Sequence, residues 1–283
     1  MKRANISVLA MVAALLVGLF LLLYPPLSSN WNARRQSGAI AGYTQRLAAM
    51  EETQYEALLA VARDYNDALA RRGNDFDYSA AQRQAFSALL GNAGEAVGYL
   101  EIPAIELRLP IYLGTEESVL QSGAGVLEGS SIPIGGESTH AVLTGHRGLP
   151  SATLFTHLDR LEAGDIFEVH VLGQTASYCV EDIVIVEPNE MDRLMIRSGE
   201  DWCTLVTCTP YGVNSHRMLV QGRRTETVQQ DAAARVAADA LQIRPRTVAV
   251  GLALPVLLVL CAASITGTAR LRKERVRPSG KEL

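Results

Sequence analysis

Thr204-Leu205-Val206-Thr207-Cys208-Thr209-Pro210-Tyr211-Gly212-Val213-Asn214-Ser215-His216-Arg217-Met218-Leu219-Val220 reads as strand, turn, strand. Leu205, Val206 and Thr207 are β-formers running into Cys208. Pro210, Gly212 and Asn214 cluster as turn residues. Met218, Leu219 and Val220 then resume an apolar run that Gly222 ends. The pattern predicts a cysteine at the end of one strand and an arginine at the start of the next. If the two strands pair, residues well separated in sequence become neighbours.

Chemistry has a use for that pair. A thiolate is the nucleophile, and a thiol with pKa near ~8.5 is mostly protonated at neutral pH. A fixed cation favours the thiolate and can hold the oxyanion formed when sulfur attacks a carbonyl. Arg suits that task because it stays charged and presents a rigid fork of donors. The leaving amine needs a proton donor, normally His. Thr144-Gly145-His146-Arg147-Gly148 supplies one in a Gly-flanked loop after the apolar run Ala141-Val142-Leu143.

The segments Thr144-Gly145-His146-Arg147-Gly148-Leu149-Pro150 and Thr207-Cys208-Thr209-Pro210-Tyr211-Gly212-Val213-Asn214, followed by His216-Arg217, resemble the sortases, most closely the pilus-assembling class C. The resemblance runs from about Gly98 to Arg224 and takes in Gly98-Tyr99-Leu100-Glu101-Ile102-Pro103 and Glu128-Gly129-Ser130-Ser131. It implies that Cys208 is the nucleophile, His146 the acid/base and Arg217 the oxyanion stabiliser. Thr144 and Thr207 are candidates for lining the substrate groove; ordinary strand threonines are the alternative. Arg147 competes with Arg217 as the cation, and pairing with an acid is the simpler expectation for it.

The chain has 283 residues, 48% of them hydrophobic, enough for a medium domain plus accessory segments. A net charge of −4 gives no indication of nucleic-acid binding, and no phosphate-cradling Gly-rich motif appears. Of the four cysteines, Cys261 lies in an apolar, membrane-like stretch, so at least one of Cys179, Cys203 and Cys208 stays free. Cys203 and Cys208 have odd spacing on one predicted strand and would stand roughly 16 Å apart on opposite faces, so they do not bridge. Cys179 with Cys203 stays open. Close metal-ligand pairs are missing, so no metal site and no cofactor are expected. His140, His157 and His170 read as structural, and His216 as pointing away from the site.

An apolar run from Ile6 to Tyr24 follows Lys2-Arg3 and reaches about 28 Å as a helix, near the thickness of a bilayer core. It reads as an uncleaved anchor, with a cleaved signal peptide as the rival. Val248 to Ile265 reads as a second span, flanked by Arg270, Arg272, Lys273, Arg275 and Arg277. Basic flanks place both termini in the cytoplasm and the residues between the spans outside the cell membrane.

Leu47, Met50, Tyr55, Leu58, Leu59, Ala62, Tyr65 and Leu69 recur near the helical period, which predicts a helix over 33–70, either packed on the main domain or standing as a stalk. The loop Arg71 to Tyr78 follows. Class C resemblance implies a lid here, an acid pairing with Arg217 and an aromatic covering Cys208. The usual Asp-Pro-aromatic motif lacks its Pro, leaving the frames Asp75-Phe76 and Asp77-Tyr78 open. A short helix is expected over 81–93, and another over 154–161 with Ser151 as a candidate N-cap. Short β-rich runs are expected at 99–102, 105–111, 141–144, 166–172, 176–186, 203–208 and 218–221. The fold class is mainly β, and the resemblance selects a closed eight-stranded sortase-type barrel.

The expected organisation is 1–26 cytoplasmic N-terminus and first span, 27–96 N-terminal helices and lid, 97–224 barrel, 225–247 helical linker, 248–267 second span and 268–283 basic tail. The resemblance implies a transpeptidase that cleaves an LPXTG-type signal between Thr and Gly and joins a pilin subunit to a lysine of the next. A housekeeping sortase acting on peptidoglycan and a non-enzymatic pilin-binding barrel are the alternatives.

Overall fold

The computed structural model describes residues 2–149 and 152–226. The expected second span, the basic tail, the linker beyond Glu226, Pro150 and the candidate cap Ser151 lie outside the described residues. Four α-helices are described: α1 (Lys2–Ala48), α2 (Glu52–Arg72), α3 (Ala80–Ser87) and the single turn α4 (Glu117–Leu120). Among the described residues one helical stretch, Ala13–Ala48 within α1, is long and apolar enough to cross a membrane.

The expected helix over 33–70 is two helices. α1 ends at Ala48 and α2 begins at Glu52, with a turn between them. α2 is not a stalk. Leu59, Ala62, Asn66 and Leu69 are its buried residues, and their spacing of three and four draws one stripe facing the barrel. Asn66 fastens that stripe. Its amide nitrogen donates to the Ile132 carbonyl at 2.9 Å and its amide oxygen accepts from the Ile132 N–H at 2.7 Å. α3 starts with a capping box in which Ser79 and Gln82 serve each other's backbone N–H.

Eight strands follow: β1 (Gly98–Ile102), β2 (Leu107–Leu113), β3 (Ala124–Val126), β4 (Thr139–Thr144), β5 (Ile166–Val171), β6 (Gln174–Val186), β7 (Asp201–Thr209) and β8 (His216–Thr225). They close a mixed barrel in the order β1-β2-β3-β4-β7-β8-β6-β5. β2–β3 and β4–β7 are parallel; the other pairs are antiparallel. The sequence pattern does not reveal β3, a short strand of Ala, Gly and Val. Pro103–Ile105 is a 3-10 turn, so the strand expected from Ile105 begins at Leu107, and the helix expected over 154–161 is the 3-10 helix Leu154–Arg160. Leu100, Ile111, Leu143, Phe167, Tyr178 and Leu205 fill the interior.

Cys179, Cys203 and Cys208 are free thiols. Cys203 belongs to the interior core, as do Tyr178 and Val180, the neighbours of Cys179. Alternation along β6 therefore sends Cys179 to the outside, and a Cys179–Cys203 bridge would have to cross the barrel wall.

Candidate active site

Alternation along β7 and β8 sorts side chains between the barrel interior and its outer surface. Leu205, Met218 and Val220 are interior, while Val206 and Leu219 join an outer cluster with Val142, Val186 and Leu194. Cys208 and Arg217 fall in the outer set and are direct cross-strand partners. β4 runs parallel to β7 with Thr144 opposite Val206. The alignment continues past the strand end. The Gly145 N–H donates to the Val206 carbonyl at 3.1 Å, and the Thr207 hydroxyl donates to the Gly145 carbonyl at 2.8 Å. The next pair in this register is His146 opposite Cys208. Cys208 thus lies between the strand carrying Arg217 and the loop carrying His146.

The two cysteines of β7 differ in kind. Cys203 is fully buried, and burial, with the charge of Asp201, pushes its thiol well above the ordinary range. Cys208 is half-buried at the open end of the same strand. The Arg217 guanidinium donates to the carbonyls of Asn214 at 3.3 Å and His216 at 3.1 Å. Among the described residues no carboxylate stands within ion-pair distance of it, so its charge stays available beside Cys208. His146 directs Nε2 at both carboxylate oxygens of Glu117, 3.3 Å from each.

Thr144 is half-buried at the end of β4, on the outer face. Thr207 is not a groove residue: it is buried, and its hydroxyl braces the His146 loop through Gly145. Arg147 is taken up by Asp159 at 2.8 Å and by the Thr209 hydroxyl at 3.1 Å. His216 lies on the alternate face of β8, with Ser215 at 2.8 Å and Glu187 at 3.4 Å.

The strap after α2 crosses the outer face. Asn74 donates from its amide to the Gly129 carbonyl at 2.9 Å and accepts from the Ile196 N–H at 2.7 Å. Gly129 has φ +85°, and a Cβ there would collide with the Asp75 carbonyl, so the close approach of the strap requires glycine. Phe76 packs on the outer cluster that contains Val206 and Leu219, one outward position from Cys208 and Arg217. Tyr78 is turned elsewhere: its hydroxyl meets Tyr65 at 3.3 Å and Arg72 at 3.1 Å, and its ring meets Phe86 edge-on. Of the two frames, only Asp75-Phe76 sends its ring to the outer cluster. The expected acid–Arg217 pair is not formed among the described residues; the Asp75 carboxylate instead accepts from the Asp77 N–H at 3.0 Å. Asn74 and Glu117 escape the sequence reading. Each acts on a partner far away in sequence, and neither carries a local signature.

A half-buried thiol beside an unpaired guanidinium and a histidine loop, on the outside of a closed barrel, suits thiol-dependent acyl transfer. Residues 100–225 match the Sortase domain family model. The chain is 45% identical to sortase C1 of Streptococcus agalactiae, over 66% of this chain and 97% of that one, with a TM-score of 0.63. It is also 45% identical to a Streptococcus pneumoniae sortase C whose structure bears on catalysis and pilin substrate specificity, covering 66% of this chain and 95% of that one at a TM-score of 0.58. Sortase D of Bacillus subtilis is 28% identical over 62% of this chain and 83% of its own length. The chain belongs to the sortase family of cysteine transpeptidases.

Proposed function

We propose that this sortase assembles pili, with Cys208 as nucleophile, Arg217 as oxyanion stabiliser and His146 as acid/base. The sulfur of Cys208 attacks the Thr–Gly carbonyl carbon of an LPXTG-type signal on a pilin subunit. The C=O electron pair moves onto oxygen, where the Arg217 fork meets it. As the tetrahedral species collapses, the C–N bond breaks and His146 gives its proton to the departing Gly amine. The thioester is then attacked by a lysine amine of the next pilin, whose proton passes to His146. An isopeptide bond forms and the thiolate of Cys208 leaves. The observation that supports this most is the pairing of Cys208 with Arg217, with the Gly145 hydrogen bonds bringing the His146 loop to the other side of β7.

The pilus class rests on the likeness to class C structures and on the strap. We read Asp75, Phe76, Asp77 and Tyr78 as a lid in which Phe76 covers the site and Tyr78 anchors the hinge side. α1 is the membrane anchor, and a second span over 248–267 would leave the barrel outside the cell. The full chain in detergent micelles, incubated with a labelled LPXTG peptide and hydroxylamine, should release hydroxamate and show a peptide thioester by mass spectrometry. Absence of both with an intact fold would overturn the enzymatic reading. A pilin bearing the same signal should become cross-linked through lysine; transfer only to a peptidoglycan amine would replace pilus assembly with surface-protein anchoring.

A further inference from the structure

We propose that Glu117 is a positioning residue for His146: its carboxylate accepts the Nε2–H of the imidazole and leaves Nδ1 to exchange the proton of the reaction. This deepens the acyl-transfer reading above and rests on it. The contact involves both carboxylate oxygens, each 3.3 Å from Nε2. Nδ1 makes no hydrogen bond among the described residues. A base whose far nitrogen is engaged by an acid has its tautomer and ring angle fixed, and the near nitrogen is then the one offered.

The acid is held from three directions. Gln121 donates to Glu117 Oε1 at 2.8 Å across one turn of α4. The residues entering α4 are tied to Glu128, a buried carboxylate that accepts from the Thr115 N–H at 3.1 Å and the Thr115 hydroxyl at 2.8 Å. Val119 presses α4 onto β3 at Gly125, where a Cβ would collide with the Gly114 carbonyl. Gly125 is in turn the partner of Thr144 on β4, two residues before His146. Acid and imidazole therefore ride on adjacent strands of one sheet. The Gln121 donor and the His146 charge hold the Glu117 carboxyl below its ordinary value, so it remains an acceptor at neutral pH. Glu117 is 67% exposed, so the pair adds little to stability, and its use lies in geometry. The other charged or titratable groups about His146 are Cys208 on β7, Arg217 on β8 beyond it, and Arg147, which is occupied by Asp159.

Glu117→Ala and Glu117→Gln in the full chain test this. Gln keeps an acceptor oxygen and loses the charge. Glu117→Ala should lower kcat for hydroxamate release about tenfold with KM unchanged, less than the ~10²-fold or more expected for removing the acid–base group itself. Glu117→Gln should stay within about threefold of the parent, because the acceptor oxygen that orients the ring is kept. Imidazole ¹⁵N NMR should show the Nε2–H tautomer of His146 in the parent and a mixture in Glu117→Ala. Equal loss in both variants, or a parental rate and tautomer in Glu117→Ala, would overturn the proposal. If the parent itself releases no hydroxamate, the acyl-transfer reading fails, while the ¹⁵N tautomer still decides whether Glu117 orients the ring.

Discussion

His140 and His146 lie six residues apart on one outward-facing register of β4 and its extension, and their fates are opposite. His140 is fully buried. Its ring nitrogens are bonded to the Met195 carbonyl at 3.0 Å and the Thr204 hydroxyl at 2.7 Å, and Trp202 stands beside it with Arg197 stacked on its indole at 4.1 Å. His146 keeps 26% of its side chain exposed, and its side-chain partner among the described residues is the exposed Glu117. Strand period assigns both to the outer face. What separates them is the chain laid over that face: the β6–β7 connection seals the His140 end through Met195, and the strap is tied to that connection at Ile196. A barrel exterior becomes a site where its cover stops.

The contrast breaks most sharply at the open end. Cys208→Ala should abolish hydroxamate release, a loss of at least ~10³-fold, with little change in the thermal midpoint, since Cys208 is only half-buried. At the sealed end the loss should be of stability instead. Burial pushes His140 down to about 4; the Met195 hydrogen bond opposes that shift and the Arg197 charge adds to it. The folded form thus refuses a proton that the unfolded chain accepts below its ordinary value of 6.5. Above that value the group makes no pH-dependent difference. Between there and pH 4 stability drains away, by about 3 kcal/mol in all. Thermal unfolding of the parent and of His140→Gln from pH 7 to pH 4 checks this. A parent whose acid loss matches that of His140→Gln would show that His140 does not carry it.

The same contrast explains what could be read from the sequence. The pairing of Cys208 with Arg217 is legible because strand period and turn residues are local signals, whereas the closed barrel is implied by the family resemblance, since short strands alone fit a sandwich as well. Thr207 is misplaced by that reading, because it lies buried on the inner face of β7 with its hydroxyl on the Gly145 carbonyl. β3 is missed because its Ala-Gly-Val sequence carries little β signal, and its glycine is there because a Cβ would collide with the Gly114 carbonyl. The single helix expected over 33–70 fails because the apolar stripe continues across the turn between α1 and α2. Asn74 and Glu117 have partners set only by tertiary closure. The two strap frames look alike in sequence for the same reason, and only the fold sends Phe76 to the outer cluster and Tyr78 to Tyr65 and Phe86.

That divergence of Phe76 and Tyr78 gives a sharper test of where the cover ends. Phe76→Ala removes the ring packed on the outer cluster, and if the strap covers the thiol, labelling of Cys208 by a small thiol reagent should accelerate about tenfold. Tyr78→Ala should change labelling by less than about twofold and instead cost about 1–2 kcal/mol of stability from its lost packing and hydroxyl contacts. Reversed effects would move the cover to the Asp77-Tyr78 frame, and no effect from either would reduce the strap to a connection.

The smallest effect separates the two faces of β7. Thr207→Val keeps the shape of the side chain and removes the donor to the Gly145 carbonyl, a loss of about 1 kcal/mol for a buried neutral hydrogen bond. Because that bond ties the His146 loop to β7, kcat/KM should fall about threefold at the same time. Thr144→Val, on the outer face, should leave stability within about 0.5 kcal/mol and act, if at all, through KM. A Thr207→Val variant with parental stability and a raised KM would return Thr207 to the groove, and with it would go the alternation that sets Cys208 and Arg217 on the outer face.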